Sequence, residues 1–178
     1  MVDLAKVLES GPVRLEPMVD AHVEALRTAC AADLEIWQIY PVNLGGDGFD
    51  VSLGMMRSAT DWTGFAAIDT ANGQVVGMSH FIRPTLFGVV EIGGTYLAPQ
   101  VRGTGYNRVM KKLMINHAFA SGIVKVEFRV DTRNRRSMAA VEALGAQREG
   151  TIRQDMVTWT GYRRDTALYG LLATEWAG

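Results

Sequence analysis

Cysteine is all but missing from this chain of 178 residues: Cys30 stands alone, so no disulfide can form within it. Histidine is almost as scarce. Three scattered histidines, even with Cys30, supply neither the number nor the spacing of ligands that a zinc site needs, and no metal is expected. Charge of one sign is lacking too, because 18 Lys and Arg stand against 19 Asp and Glu, a formal net charge of −1. A chain so balanced is no bulk nucleic-acid binder, and any anion site on it must be local. No apolar run approaches the roughly 18 residues of a membrane span. The opening decapeptide, MVDLAKVLES, carries charge where a secretory signal needs an apolar centre. These absences leave a domain expected in the cytoplasm, with neither nucleic acid nor membrane as a partner. What is present is ordinary globular composition, 48% apolar and 21% charged. The chain is long enough to bury roughly 70% of its extended surface in one core.

Residues 1–12 read as an N-terminal arm, frayed over the first ten, and 13–178 as a single domain. Val13-Arg14-Leu15-Glu16 alternates like a strand and stops at Pro17, which cannot extend a central ladder. Asp20 suits a helix cap ahead of Val23, Leu26, Ala29 and Cys30, spaced three and four apart. Residues 36–48, with Trp37, Tyr40 and Pro41 and then Gly45, Gly46 and Gly48, read as an aromatic turn leading into a mobile loop. A second helix is expected over 50–61. Strands follow at 65–68 and 75–82, joined through Asn72-Gly73, the strongest short hairpin signal, and at 89–97 beyond Pro84. Tyr106, Met110, Leu113, Met114 and Ala118 recur at helical spacing, with Arg108, Lys111 and Lys112 assigned to other faces. Val124, Val126, Phe128 and Val130 alternate with charged residues as a strand does. A short helix through Met138, Val141 and Leu144 ends at Gly145, and two strands at 152–159 and 166–172 close the chain. Seven strands and four helices in this order predict one α/β domain with a mixed sheet.

The most informative segment is Gln100-Val101-Arg102-Gly103-Thr104-Gly105, between a strand and an amphipathic helix. Gly103 and Gly105 let the backbone turn tightly and approach a ligand, and the helix directs its free N–H groups and positive dipole end at the same point. That is a pyrophosphate cradle, to which Arg102, Arg108, Lys111 and Lys112 could add charge. A glycine turn that merely starts a helix is the other reading. Two better-known anion loops fail: no Gly-Lys-Ser/Thr occurs in the chain, and the third glycine of a dinucleotide fingerprint is replaced by Arg108.

Taken with Glu91-Ile92-Gly93, Tyr96-Leu97-Ala98-Pro99, Tyr106-Asn107, Asn134 with Ser137, Leu144-Gly145-Ala146, Glu149-Gly150 and Arg164-Asp165, this segment resembles the GNAT superfamily of acyl-CoA-dependent N-acyltransferases. The nearest likeness is to its RimJ/RimL-like branch, the ribosomal-protein N-terminal acetyltransferases, and it spans residues 13–176. The resemblance implies a mostly antiparallel seven-stranded sheet whose fourth strand, 89–97, bulges at Gly93-Gly94 and parts from the fifth. The pantetheine arm of acetyl-CoA would lie in that gap, with a backbone donor facing the thioester. It implies cofactor contacts at Tyr96, Leu97, Gln100, Val101, Arg102, Gly103, Thr104, Gly105, Tyr106, Asn107, Asn134 and Ser137. Ser137 would protonate the departing thiolate, although an Asn and a Ser at a helix start are equally explained by capping. Glu91 is the candidate base on the strand beside the acceptor, unless it is simply a paired or solvated carboxylate. Strand alternation puts Glu91, Gly93 and Thr95 on one face. Trp37 and Tyr40 would line the pocket of a primary amine, either a protein N-terminus or a small molecule. His80 reads as a core histidine or a second base. Many relatives carry an aromatic where Gly94 stands, and many pair as homodimers, so a dimer is an expectation of the likeness. An acyl-CoA sensor without turnover is the rival from another class.

Overall fold

A computed structural model describes residues 2–178 as one sheet of eight strands with helices on both faces. The strands are β1 (Leu8–Ser10), β2 (Val13–Pro17), β3 (Trp62–Asp69), β4 (Gln74–Ile82), β5 (Val89–Leu97), β6 (Lys125–Asp131), β7 (Gln147–Val157) and β8 (Arg163–Leu172). Their order across the sheet is β1-β2-β3-β4-β5-β6-β8-β7. Every neighbouring pair is antiparallel except β5 with β6, which the helix α3 (Tyr106–Ala120) connects as a crossover. The architecture is the one the sequence predicts with one strand more, so its fourth and fifth strands are β5 and β6 here.

The additional strand lies in the segment expected to fray. Gly11, at φ +52°, turns the chain so that Leu8 faces Leu15 across a short hairpin. Leu4 is 2% exposed against the main core, and its carbonyl accepts the Nε2–H of His117. One buried leucine and one three-residue ladder tie down what Leu-Glu-Ser alone does not announce. The second helix, α2 (Phe49–Ser58), ends three residues earlier than expected. Residues 36–48 are not a mobile loop either: Trp37 and Leu44 are buried, and two short 3-10 turns, Glu35–Ile39 and Gly46–Gly48, carry the segment into α2.

Alternation along the strands divides the interior in two. On one face α3 and α4 (Arg135–Glu142) cover Leu15, Phe65, Phe81, Ile92, Phe128 and Tyr169. On the other, α1 (Val23–Ala31) and α2 cover Met78, Tyr96 and Trp37. Each fully buried Leu, Ile, Met or Phe side chain contributes about 1.5–3 kcal/mol, so the α3 face, with the larger cluster, supplies most of the cohesion. No helix among the described residues is long and apolar enough to cross a membrane.

Candidate active site

The sheet opens beside β5. Pairing with β6 covers only Val89 with Lys125, Val90 with Val126 and Glu91 with Glu127, after which β5 continues to Leu97 hydrogen-bonded to β4 alone. At the point of parting β5 also bulges. His80 on β4 stands opposite Gly93 and Met78 opposite Tyr96, so Gly94 and Thr95 together face the single Ser79. Gly94 has φ +55°, and a Cβ there would lie 2.8 Å from His80 Nδ1, so both conformation and space demand glycine. The extra residue reverses the alternation. Glu91 and Gly93 share a face, as expected, but Thr95 is turned to the opposite one, toward α3, and Tyr96 toward α1.

Three side chains converge on the bulge from different elements. His80 donates Nδ1–H to the Gly94 carbonyl at 3.2 Å, and burial pushes its pKa down to about 4, so it is a neutral core imidazole. The Tyr40 hydroxyl donates to the Thr95 carbonyl at 2.7 Å. From α3, Lys111 Nζ donates to Thr95 Oγ1 at 2.6 Å and to Ser79 Oγ at 3.2 Å. The sequence places Lys111 off the apolar stripe, as charge for a phosphate; instead it is buried against β4 and β5 and adds nothing to the cradle. The signal was present, because Lys111 lies four residues before Ile115 and seven before Ala118, on the buried stripe.

At the C-terminal end of β5 the chain runs through a 3-10 turn, Pro99–Val101, into α3. Gly103 and Gly105 have φ +78° and +88°, and no atom lies within 4 Å of where a Cβ would stand on either. The N–H groups of Gly103, Thr104 and Gly105 donate to no acceptor among the described residues, and the only side-chain acceptor at the start of this 15-residue helix is Thr104 Oγ1, 3.4 Å from the Tyr106 N–H. This is open backbone at a positive dipole end, the donor set an anion requires. Thr104 braces the turn by donating to the Val101 carbonyl at 2.8 Å. The Arg102 side chain does not join the cradle. Its Nε donates to the Leu97 carbonyl at 2.7 Å and its Nη1 pairs with Asp33 beyond α1, so it staples the loop to the core. Gln100 is exposed and Asn107 half-buried, whereas the side chains of Tyr96, Leu97, Val101 and Tyr106 lie in the interior. Tyr96 and Leu97 border the gap with their backbone only.

Asn134 caps α4, accepting the N–H of Ser137 at 3.0 Å, so the capping role is real. Ser137 is half-buried and its hydroxyl has no partner among the described residues. Glu91, at the last paired position before the gap, is bound by Arg83 at 3.2 Å and lies 3.7 Å from Arg129. Burial pushes its pKa up while the two guanidiniums pull it back. Trp37 stacks on Tyr96 at 4.7 Å and is fully buried, so it supports the pocket rather than lining it. Tyr40 is half-buried beside it. A cleft of about 590 Å³ opens next to this pair, walled by Pro41, Val42, Val51, Met55, Val157 and Trp159. Trp159 was not singled out from sequence; its indole N–H donates to the Trp37 carbonyl at 2.8 Å. The Cys30 thiol is buried and pushed up to about 12, too inert for a covalent nucleophile. No group of three or more metal-ligating side chains gathers among the described residues.

Residues 13–147 match the Acetyltransferase (GNAT) domain. An N-acetyltransferase related to GCN5 from Brucella melitensis is 29% identical and superposes with a TM-score of 0.89 over 97% of this chain and 80% of its own. An acetyltransferase structure from T. thermophilus is 30% identical, with a TM-score of 0.88 over 99% of this chain and 94% of its own. RimJ of Mycobacterium smegmatis, solved in complex with CoA-disulfide, shares 19% identity but the same fold, at a TM-score of 0.83 over 98% of this chain and 90% of its own. No protein of curated function matches the sequence. Parted strands, an open anion cradle and a matched domain agree: the chain belongs to the GNAT family and is an acyl-CoA-dependent N-acyltransferase.

Proposed function

We propose that the enzyme moves an acetyl group from acetyl-CoA to a primary amine by direct attack in a ternary complex, and that the acceptor is a protein N-terminus. The observation that carries this reading is the parting of β5 from β6 at a bulge whose far end leads straight into an uncapped helix start. The N–H groups of Gly103, Thr104 and Gly105 hold the diphosphate, and the pantetheine arm lies between β5 and β6 with Asn134 beside it. A backbone N–H of residues 93–96 faces the thioester oxygen, where a fixed donor favours the developing negative charge. The amine nitrogen attacks the thioester carbon and the carbon–sulfur bond breaks. Ser137 gives its proton to the leaving thiolate, and Glu91 takes the proton from the amine through water.

Only modest proton chemistry is required. An α-amine with a pKa near 8 is already roughly one-tenth neutral at pH 7, against about one part in 2,500 for a lysine. A carboxylate raised by burial and restrained by two arginines suits the first task better than the second. The cleft by Trp159 is lined by uncharged residues only, which favours an apolar or neutral residue behind the acceptor amine and offers no carboxylate to a polyamine. The likeness to RimJ in sequence motifs supports the same class. Calorimetry with coenzyme A, followed by thiol release from acetyl-CoA against N-terminal peptides, polyamines and lysine peptides, tests the proposal. Binding with release on the peptides bearing a free N-terminus is expected. Release on polyamines alone would overturn the acceptor class, and binding without release on any amine would identify a sensor.

A further inference from the structure

Lys111 is the one fully interior lysine among the described residues, 5% exposed, and the mechanism above gives it no part. Its ammonium nitrogen has no carboxylate within 4 Å; its partners are two hydroxyls, Thr95 Oγ1 at 2.6 Å and Ser79 Oγ at 3.2 Å, which also share a hydrogen bond of 2.8 Å. An unpaired amine at such a depth costs several kcal/mol relative to an apolar side chain, so a methionine there would serve packing better. The cost falls at one point of the sheet. Thr95 follows Gly94 at φ +55°, and the bulge turns its side chain to α3. Its carbonyl meanwhile is gripped from the other side by Tyr40, and the Gly94 carbonyl by His80.

We propose that Lys111 is a positioning residue for acyl transfer, acting through Thr95 to fix the β5 bulge in the orientation that directs its backbone donor at the thioester oxygen. The inference rests on the acyl-CoA reading above and adds to it the residue that holds the oxyanion donor in register. A bulge leaves its extra residue unpaired in the ladder, so contacts outside the ladder have to hold it. Here regular pairing would return Thr95 to the face of Glu91 and swing the donor out of the gap. His80 and Tyr40 hold the two carbonyls, while Lys111 at 2.6 Å and Ser79 at 2.8 Å, with a longer contact to the Gly93 carbonyl at 3.5 Å, hold the side chain that sets the face. Burial lowers the pKa of this amine to about 7, so near neutrality it exchanges between ammonium and amine while keeping at least two donors for the same hydroxyls.

The test needs no knowledge of the acceptor. Acetyl-CoA labelled with ¹³C at the thioester carbonyl is titrated into the wild-type protein, Lys111→Met, Thr95→Val and Thr95→Ser, with unlabelled coenzyme A affinity measured beside it. A donor on the carbonyl oxygen moves the carbonyl resonance downfield. The wild type and Thr95→Ser are expected to give the full shift, and Lys111→Met and Thr95→Val less than half of it. Affinity for coenzyme A should stay within about threefold throughout, because the diphosphate seat is untouched. A full shift in either Lys111→Met or Thr95→Val overturns the inference and leaves the acyl-CoA reading standing, whereas a wild type that does not bind acetyl-CoA overturns both. Thr95→Val carries the test if Lys111→Met does not fold. A loss of coenzyme A affinity in step with the loss of shift would assign Lys111 to the fold alone and likewise overturn the inference.

Discussion

Two helices begin close to the edge where β5 and β6 separate, and their first turns are finished in opposite ways. α4 closes on itself: Asn134 accepts the N–H of Ser137, the ordinary cap that satisfies one of the orphan donors of a helix start. α3 does not. Its cap position is Gly105 at φ +88°, its first N–H meets only Thr104 Oγ1 at 3.4 Å, and Gly103, Thr104 and Gly105 leave their N–H groups unused. Both solutions are cheap to encode, so the difference is informative. α1 and α2 also begin without a side-chain cap, so what sets α3 apart is a run of three free N–H groups at two positive-φ glycines with open space above them. The same contrast runs along β5, zipped to β4 on one edge and released from β6 on the other after Glu91.

The hardest way to break this contrast is Gly103→Glu. The new carboxylate stands in open space at the proposed diphosphate seat, so affinity for coenzyme A is expected to fall by more than about 100-fold, as like charges meet at the positive end of the helix. Calorimetry reads it directly, and a change of less than about tenfold would return α3 to the status of an ordinary helix start. Next in size is Ser137→Ala, which deletes a hydroxyl with no structural partner but leaves the backbone N–H that Asn134 caps. Turnover is expected to fall by roughly 100-fold with the melting temperature unchanged, the lower end of what a positioned general acid contributes. Unchanged turnover would reassign Ser137 to the cap.

The middle of α3 gives the contrast a titration. Lys111 has a pKa of about 7 in the folded chain and an ordinary value near 10.4 when unfolded. Between those values the unfolded chain binds the extra proton, so this lysine makes stability rise with pH from about 7 to about 10, by at most ~1.4 kcal/mol per pH unit. Denaturant titrations across that window should show the slope, and Lys111→Met should remove it; an identical slope in the variant would mean that another group titrates. The smallest effect is expected of Asn134→Ala, about 1 kcal/mol of stability for the lost cap. If coenzyme A affinity falls as well, Asn134 touches the pantetheine arm in addition to capping α4.

Much of this was legible because it is written in local chemistry. Gly103 and Gly105 before an amphipathic stretch suggest an open helix start, with a plain glycine turn as the other reading, and the family resemblance points to the bulge at Gly93-Gly94. Three things were hidden for physical reasons. A three-residue strand has no alternation to read, so β1 shows only once Leu4 and Gly11 are in place. A bulge adds one residue to the period of two, so every face assigned beyond Gly94 inverts, and Thr95 passes from the side of Glu91 to that of Lys111. Burial and partner choice are tertiary facts as well. Nothing local says that Arg102 turns back to Leu97 and Asp33, or that Trp37 sinks beneath the cleft it was expected to line.

The most direct measurement follows the backbone amides of Gly103, Thr104 and Gly105 by ¹H–¹⁵N correlation as coenzyme A is added. An anion held by the open end of α3 should move these three resonances downfield together, saturating with the affinity that calorimetry gives, and slow their exchange with water. Coenzyme A that binds while these amides stay where they are, or that does not bind at all, would contradict the account.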